Sequence, residues 1–222
     1  PVDEAVRIAT EVAEALQVAH EEGVIHRDIK PANILLNKGR PLVADFGIAL
    51  AVTTAGAGRL TETGLSMGTP FYMSPEQASA DREPSAASDV YSLGCVLYEM
   101  LVGDPPHTAS SAQAVLAKIL TGDAPAPGDA RASIPANVDA AIRKALEKLP
   151  ADRFVAAQDF ARALHDPGFV HGRGMTAVAV APRSGWNRLS IATSGISALL
   201  AVALVWVVAT RGSEPPPVLH ST

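Results

Sequence analysis

The order of apolar and polar positions divides this chain into segments of distinct character. Val6, Ala9, Val12, Ala13, Leu16 and Ala19 recur at helical spacing, which predicts an amphipathic helix from Asp3 to Glu22 with Gly23 as its C-terminal stop. Two short apolar runs follow, Ile34-Leu35-Leu36 and Leu42-Val43-Ala44. Between them Asn37-Lys38-Gly39-Arg40 is rich in residues that tolerate positive φ, so a β-hairpin is predicted. From Ala49 to Met67 the chain turns small and polar and reads as a loop. Asp89 to Val102 is apolar enough for a buried helix, stopped by Gly103 and the Pro105-Pro106 pair. Ser111–Leu120, Asn137–Leu149 and Phe154–Leu164 predict three more helices, with Asn137 as an N-cap and Gly122–Gly128 as a linker. The hairpin is the only strand signal, so the expected fold class is mainly α within an α+β family.

The C-terminal part has a different pattern. Residues 167–188 carry scattered Gly, Pro and Arg without periodicity and read as a linker. Leu189 to Thr210 is 22 residues without a charge, about 33 Å as a helix, which is enough to span the hydrocarbon core of a bilayer. Trp186 and Trp206 stand towards its two ends, where interfacial indoles are favoured. Arg173, Arg183 and Arg188 precede the span and Arg211 follows it, so the positive-inside rule puts the upstream part in the cytoplasm of a single-pass cell-membrane protein. Ser190, Ser194 and Ala198 form a small-residue stripe on which two such helices could pair as a homodimer. The Pro-rich tail 211–222 is then extracytoplasmic and too short for a folded sensor.

Charge and cysteine content narrow the picture. A net charge of −5 gives no electrostatic ground for a nucleic-acid partner. The single cysteine, Cys95, excludes an internal disulfide framework, and its apolar surroundings make it a core thiol.

The candidate chemistry sits between the first helix and the hairpin. His26-Arg27-Asp28-Ile29-Lys30-Pro31-Ala32-Asn33 sets an acid, a cation and an amide at fixed offsets, and Asp45-Phe46-Gly47 follows the second apolar run. A hairpin brings Asp28, Asn33 and Asp45 to one edge as oxygen ligands beside a cation, the composition of a metal-phosphate site. Further along come Gly68-Thr69-Pro70-Phe71-Tyr72-Met73-Ser74-Pro75-Glu76 and Asp89-Val90-Tyr91-Ser92-Leu93-Gly94. In this order, across residues 1–166, these motifs resemble the eukaryotic-type serine/threonine protein kinases, close to their bacterial members, with Ser-Pro-Glu-Gln where many others have Ala-Pro-Glu.

The resemblance implies a role for each matched residue. Asp28 would accept the proton of a protein serine or threonine hydroxyl, and Lys30 would neutralise the transferred phosphate and so contribute to ATP binding. Asn33 and Asp45 would hold Mg²⁺, or Mn²⁺ in its place, and Leu35 would lie under the adenine ring of ATP. Arg27 would pair with a phosphate on the activation segment, placed on Thr61 or Thr63, and Thr69 would bond Asp28 and Lys30 from the substrate loop. Glu76 and Arg153 match the family's buried ion pair, and Asp89 matches the helix aspartate that accepts N–H groups of the catalytic loop. Those last three would be structural.

No Gly-x-Gly-x-x-Gly loop and no strand lysine occur before His26, and the chain begins at Pro1. The expectation is therefore a kinase C-lobe with the N-lobe absent (residues 1–166), a juxtamembrane linker (167–188), a transmembrane helix (189–210) and a tail (211–222). Such a chain alone would bind ATP poorly and transfer phosphate barely or not at all. The alternative is a membrane-tethered pseudokinase scaffold that binds protein partners without catalysis. Retention of Asp28, Lys30, Asn33 and Asp45 weighs against it, because a scaffold has no chemical need for all four. A hydrolase with a convergent metal site is disfavoured by the later motifs.

Overall fold

The computed structural model describes residues 1–46 and 70–172. Gly47, Thr61, Thr63, Gly68, Thr69, most of the expected linker, the expected span 189–210 and the tail 211–222 lie outside the described residues. Among the described residues no helix is long and apolar enough to cross a membrane.

Helix α1 (Val2–Glu21) forms where the apolar stripe predicts it, with Asp3 and Glu4 in its first turn, where acidic groups suit the helix dipole. Its buried face is Ala5, Val6, Ile8, Ala9, Val12, Ala13 and Leu16. Gly23, at φ 75°, takes the left-handed conformation after the last turn, and its N–H bonds the His20 carbonyl at 3.0 Å. A loop and a 3₁₀ turn at Pro31–Asn33 lead into the hairpin of β1 (Ile34–Asn37) and β2 (Arg40–Val43). The two strands pair antiparallel, with Ile34 opposite Val43 and Asn37 opposite Arg40. Lys38 (φ 51°) and Gly39 (φ 79°) form the two-residue turn, and positive φ at both positions gives the twist that hairpin strands need. The turn is also tied to α1, because the Arg7 guanidinium bonds the Gly39 carbonyl at 2.7 Å while Glu4 and Glu11 hold its other nitrogens.

Among the described residues the body is completed by five further helices, one helical turn and a 3₁₀ turn at Pro150–Asp152: α2 (Pro75–Ser79), α3 (Ala86–Val102), α4 (Ala112–Thr121), α5 (Pro127–Ala130), α6 (Ala136–Ala145) and α7 (Ala157–His165). Helix α3 is the axis. Every residue from Ala87 to Tyr98 is buried, as expected of a helix apolar on all sides. Helices α1, α6 and α7 pack around it. Leu16, Ile29, Leu93, Leu97, Ile142 and Phe160 are all fully buried at this junction, each contributing about 1.5–3 kcal/mol through loss of apolar surface from water. Cys95 is fully buried as well, and desolvation pushes its thiol far above the ordinary range, so it packs as an apolar residue.

Several expected boundaries move, each for a local reason. Helix α3 starts three residues early because Ser85 and Ser88 form a capping box, Ser88 Oγ accepting the Ser85 N–H at 2.9 Å. Asn137 is not an N-cap. That position is Pro135, and the Asn137 amide instead reaches across to the carbonyls of Ala163 and Leu164 at the end of α7. Helix α6 ends at Ala145 rather than Leu149 because the carbonyls of Glu147 and Lys148 turn towards the Arg153 guanidinium. Helix α7 begins at Ala157 rather than Phe154, after Ala156 in an extended conformation. The expected linker Gly122–Gly128 runs into the helical turn α5, whose Pro127 supplies a favoured first residue.

Past α7 the chain stays on the body as far as residue 172. Phe169 packs against Phe154 with ring centroids 5.7 Å apart, and His171 meets Glu147 at 2.9 Å while Arg143 donates to the His171 carbonyl.

Candidate functional site

The loop between α1 and β1 is built by hydrogen bonds that reach it from three other elements. Asp89, in the first turn of α3 and 1 % exposed, accepts the His26 N–H through Oδ2 and the Arg27 N–H through Oδ1, both at 2.8 Å. Asp89 Oδ2 also meets His20 Nε2 of α1 at 2.8 Å. One buried carboxylate therefore holds two consecutive peptide groups, the arrangement needed to keep Arg27 at φ 71°. A non-glycine residue in that region costs about 1–3 kcal/mol unless its surroundings impose it.

His26 closes the next link. Its Nε2 meets the Ala44 carbonyl at 2.9 Å, and its Nδ1 accepts the Asp28 N–H at 3.3 Å. A carbonyl only accepts and an amide only donates, so the imidazole hydrogen belongs on Nε2. The ring also packs on Phe46, with centroids 4.7 Å apart. His26 thereby joins the loop carrying Asp28 to the chain leaving β2, which carries Asp45.

Asp28, Lys30 and Asn33 are in direct contact. Lys30 Nζ donates to Asp28 Oδ2 at 2.6 Å, and Asn33 Nδ2 donates to the same oxygen at 3.0 Å and to the Asp28 carbonyl at 2.8 Å. The Asp28 carboxylate is half exposed, oriented by two donors yet open to a third group. The Asn33 amide nitrogen is spent on Asp28, which leaves its Oδ1 as the atom a hard cation takes. The Asn33 carbonyl accepts the Ala44 N–H at 2.9 Å, so the chain brings Asp45 beside it, exposed and at φ 61°. No side-chain bond joins Asp45 to Asn33 or Asp28 among the described residues. One amide oxygen and one carboxylate fit Mg²⁺, which takes one or two protein oxygens and fills its shell with phosphate oxygens and water. Among the described residues no group of three or more His, Cys, Asp or Glu is placed to hold a metal by itself. Leu35 stands on β1 with 55 % of its surface exposed.

Glu76 and Arg153 meet in the interior, at 0 % and 4 % side-chain exposure for Arg153 and Glu76 respectively. Both guanidinium Nη atoms reach the carboxylate at 2.7 Å, and the remaining donors go to the carbonyls of Ala87, Glu147 and Lys148. Ser88 adds a bond to Glu76 at 2.6 Å. Burial alone would push the Glu76 carboxyl up. The bonds from Arg153 and Ser88 outweigh it and hold that group below its usual range. Thr61, Thr63 and Thr69 lie outside the described residues.

Some contributors were not singled out from sequence. His20 falls four residues after Leu16, on the buried stripe of α1, and a histidine on an apolar face is the signal that could have found it. Tyr72 donates to Glu99 at 2.6 Å, and burial reinforced by that carboxylate pushes the phenol far above its ordinary range. Gln77 donates to the Arg27 carbonyl at 2.7 Å from the Ser-Pro-Glu-Gln stretch, a capping box legible in the sequence.

Comparison with known proteins bears on the family of this body. The family model described as protein kinase domain matches residues 1–164. The chain is 43 % identical over 163 residues to serine/threonine-protein kinase PknH of Mycobacterium bovis, which covers 73 % of this chain and 27 % of that one. It is 43 % identical over 164 residues to PknD of Mycobacterium tuberculosis, covering 73 % and 24 %. With PknB of the same species it shares 42 % identity over 156 residues, covering 70 % and 25 %. The chain thus spans about a quarter of the length of the curated relatives it matches. A family match over residues 1–164, on a body whose Asp28, Lys30 and Asn33 are in contact, means that the chain belongs to the protein serine/threonine kinase family.

Proposed function

We propose that this protein transfers phosphate from ATP to serine and threonine hydroxyls of other proteins, with Asp28 as the residue that orients the hydroxyl and accepts its proton. The observation that carries this is the Asp28 carboxylate held at one oxygen by Lys30 and Asn33, at 2.6 and 3.0 Å, and half exposed. A carboxylate fixed at one oxygen presents the other in a defined direction, which is what aiming a nucleophile requires. Lys30 neutralises charge beside the same oxygen and would do so for a phosphate placed there. Asn33 and Asp45 would hold Mg²⁺, which when bound neutralises the phosphates. Leu35 offers an exposed apolar surface for the adenine ring. Arg27 would order the activation segment by pairing with a phosphate on Thr61 or Thr63, through charge-assisted hydrogen bonds. The uncharged run 189–210 supports a single membrane anchor with the kinase portion in the cytoplasm.

The test uses protein expressed from the complete reading frame, with labelled ATP, Mg²⁺ and a peptide copied from residues 56–68. Asp28→Asn should lower the transfer rate by about 10²–10⁴ while Tm stays unchanged. A variant that transfers as fast as the unsubstituted protein would remove Asp28 from the reaction, and an unsubstituted protein that transfers no phosphate would make the tethered scaffold the better account.

A further inference from the structure

Gln77 uses both ends of its amide. Its Oε1 accepts from the Ser74 N–H at 3.1 Å and from Ser74 Oγ at 2.9 Å, closing the capping box of α2. Its Nε2 donates to the carbonyl of Arg27 at 2.7 Å, a contact between residues 50 positions apart. The network sets the orientation of the amide, because the Ser74 N–H can only donate and the Arg27 carbonyl can only accept.

That carbonyl belongs to the peptide on which Asp28 hangs. The Arg27–Asp28 peptide has its C=O on Gln77 and its N–H on His26 Nδ1, while the peptide before it has its N–H on Asp89. Arg27 sits at φ 71°, so relaxation of its backbone towards an ordinary conformation would turn the next peptide and with it the Asp28 side chain. Asp89 restrains this residue from its amino side. Among the described residues Gln77 is what restrains its carbonyl, and it does so from the element that directly follows Tyr72 and Ser74.

We propose that Gln77 is a positioning residue for phosphoryl transfer: by holding the Arg27 carbonyl it sets the direction of Asp28 and ties that direction to the order of the segment entering α2. The proposal rests on the reading of Asp28 given above. A purely structural role, capping α2, makes a different prediction, and two substitutions separate them. Gln77→Glu keeps an oxygen for Ser74 and adds negative charge at a helix N-terminus, which favours the cap. It replaces the donor to Arg27 with a second acceptor, so the clamp is lost. Gln77→Met loses both.

The experiment measures kcat, the KM for ATP and Tm in protein expressed from the complete reading frame, with the same peptide as phosphate acceptor. Gln77→Glu should keep Tm and the KM for ATP while kcat falls at least about tenfold, since misplacing a reacting group by about 1 Å costs about 100-fold. Amide hydrogen exchange across residues 25–30 should quicken in the same variant. A kcat within threefold of the unsubstituted protein overturns the proposal. So does a loss of activity in Gln77→Met alone that follows its fall in Tm. An unsubstituted protein with no transfer at all would instead overturn the assignment of Asp28.

Discussion

Arg153 shows how much one side chain can organise. Its five N–H donors are all used, two on Glu76 and the rest on three carbonyls, and the guanidinium lies 4.9 Å from the Tyr91 ring centroid. Its desolvation is offset only while every partner is present. Arg153→Met should therefore destabilise the protein by about 3–5 kcal/mol, read from denaturant unfolding, because the buried Glu76 carboxylate keeps Ser88 but loses its cationic partner and the carbonyls of Glu147 and Lys148 lose the guanidinium donor. Glu76 is linked to pH through the same bonds. Its folded pKa is depressed, so its contribution is present above the unfolded carboxylate value and is lost as pH falls below it. The grouping of Asp28, Lys30 and Asn33 was legible at this scale, since spacing within one loop is written in the sequence. The distant groups that Gln77 and His20 bond were not, because long-range hydrogen bonds leave no local periodicity.

At the scale of elements, α3 decides the packing. Gly94 lies where α3 meets α6, and a Cβ there would stand 3.0 Å from Ala145 Cβ and 3.3 Å from Leu146 Cδ2. Alanine normally gains up to about 1 kcal/mol over glycine in a helix interior. The close approach reverses the sign here, since a methyl facing the short, rigid Ala145 side chain cannot be accommodated by rotation. Gly94→Ala should cost about 1–3 kcal/mol, and a thermal melt with an unchanged or raised Tm would show that α3 and α6 can separate. Helix existence and the hairpin turn followed directly from pattern and turn chemistry. Helix ends did not, because the end of α6 is set by Arg153 reaching for carbonyls, a tertiary event.

For the whole molecule, the charged groups around His107 set a pH limit. This histidine is 3 % exposed and its Nε2 meets no hydrogen-bond partner among the described residues. Burial, reinforced by Lys148 and Lys118 and opposed by Asp123, pushes its pKa down to about 4. The unfolded chain binds a proton here below about pH 6.5, whereas the folded protein resists it until pH about 4. Stability therefore falls as pH drops through that window, which opens above the range in which Glu76 begins to matter. Urea midpoints at pH 7 and pH 5 should differ less in His107→Leu than in the unsubstituted protein. An equal difference in both would place the sensitivity elsewhere.

The sequence by itself determined what depends on near neighbours: helical stripes, the Lys38-Gly39 turn, the order of the motifs, and hence the family. Tertiary structure decided what depends on distant groups meeting. It brought Asp89 and Gln77 to the two sides of Arg27 and ran the chain past α7 against Phe154. The physical reason is that apolar burial is non-directional and can be read from composition along the chain. A hydrogen bond depends instead on the relative placement of two groups within about 3 Å, and only the packed body provides that.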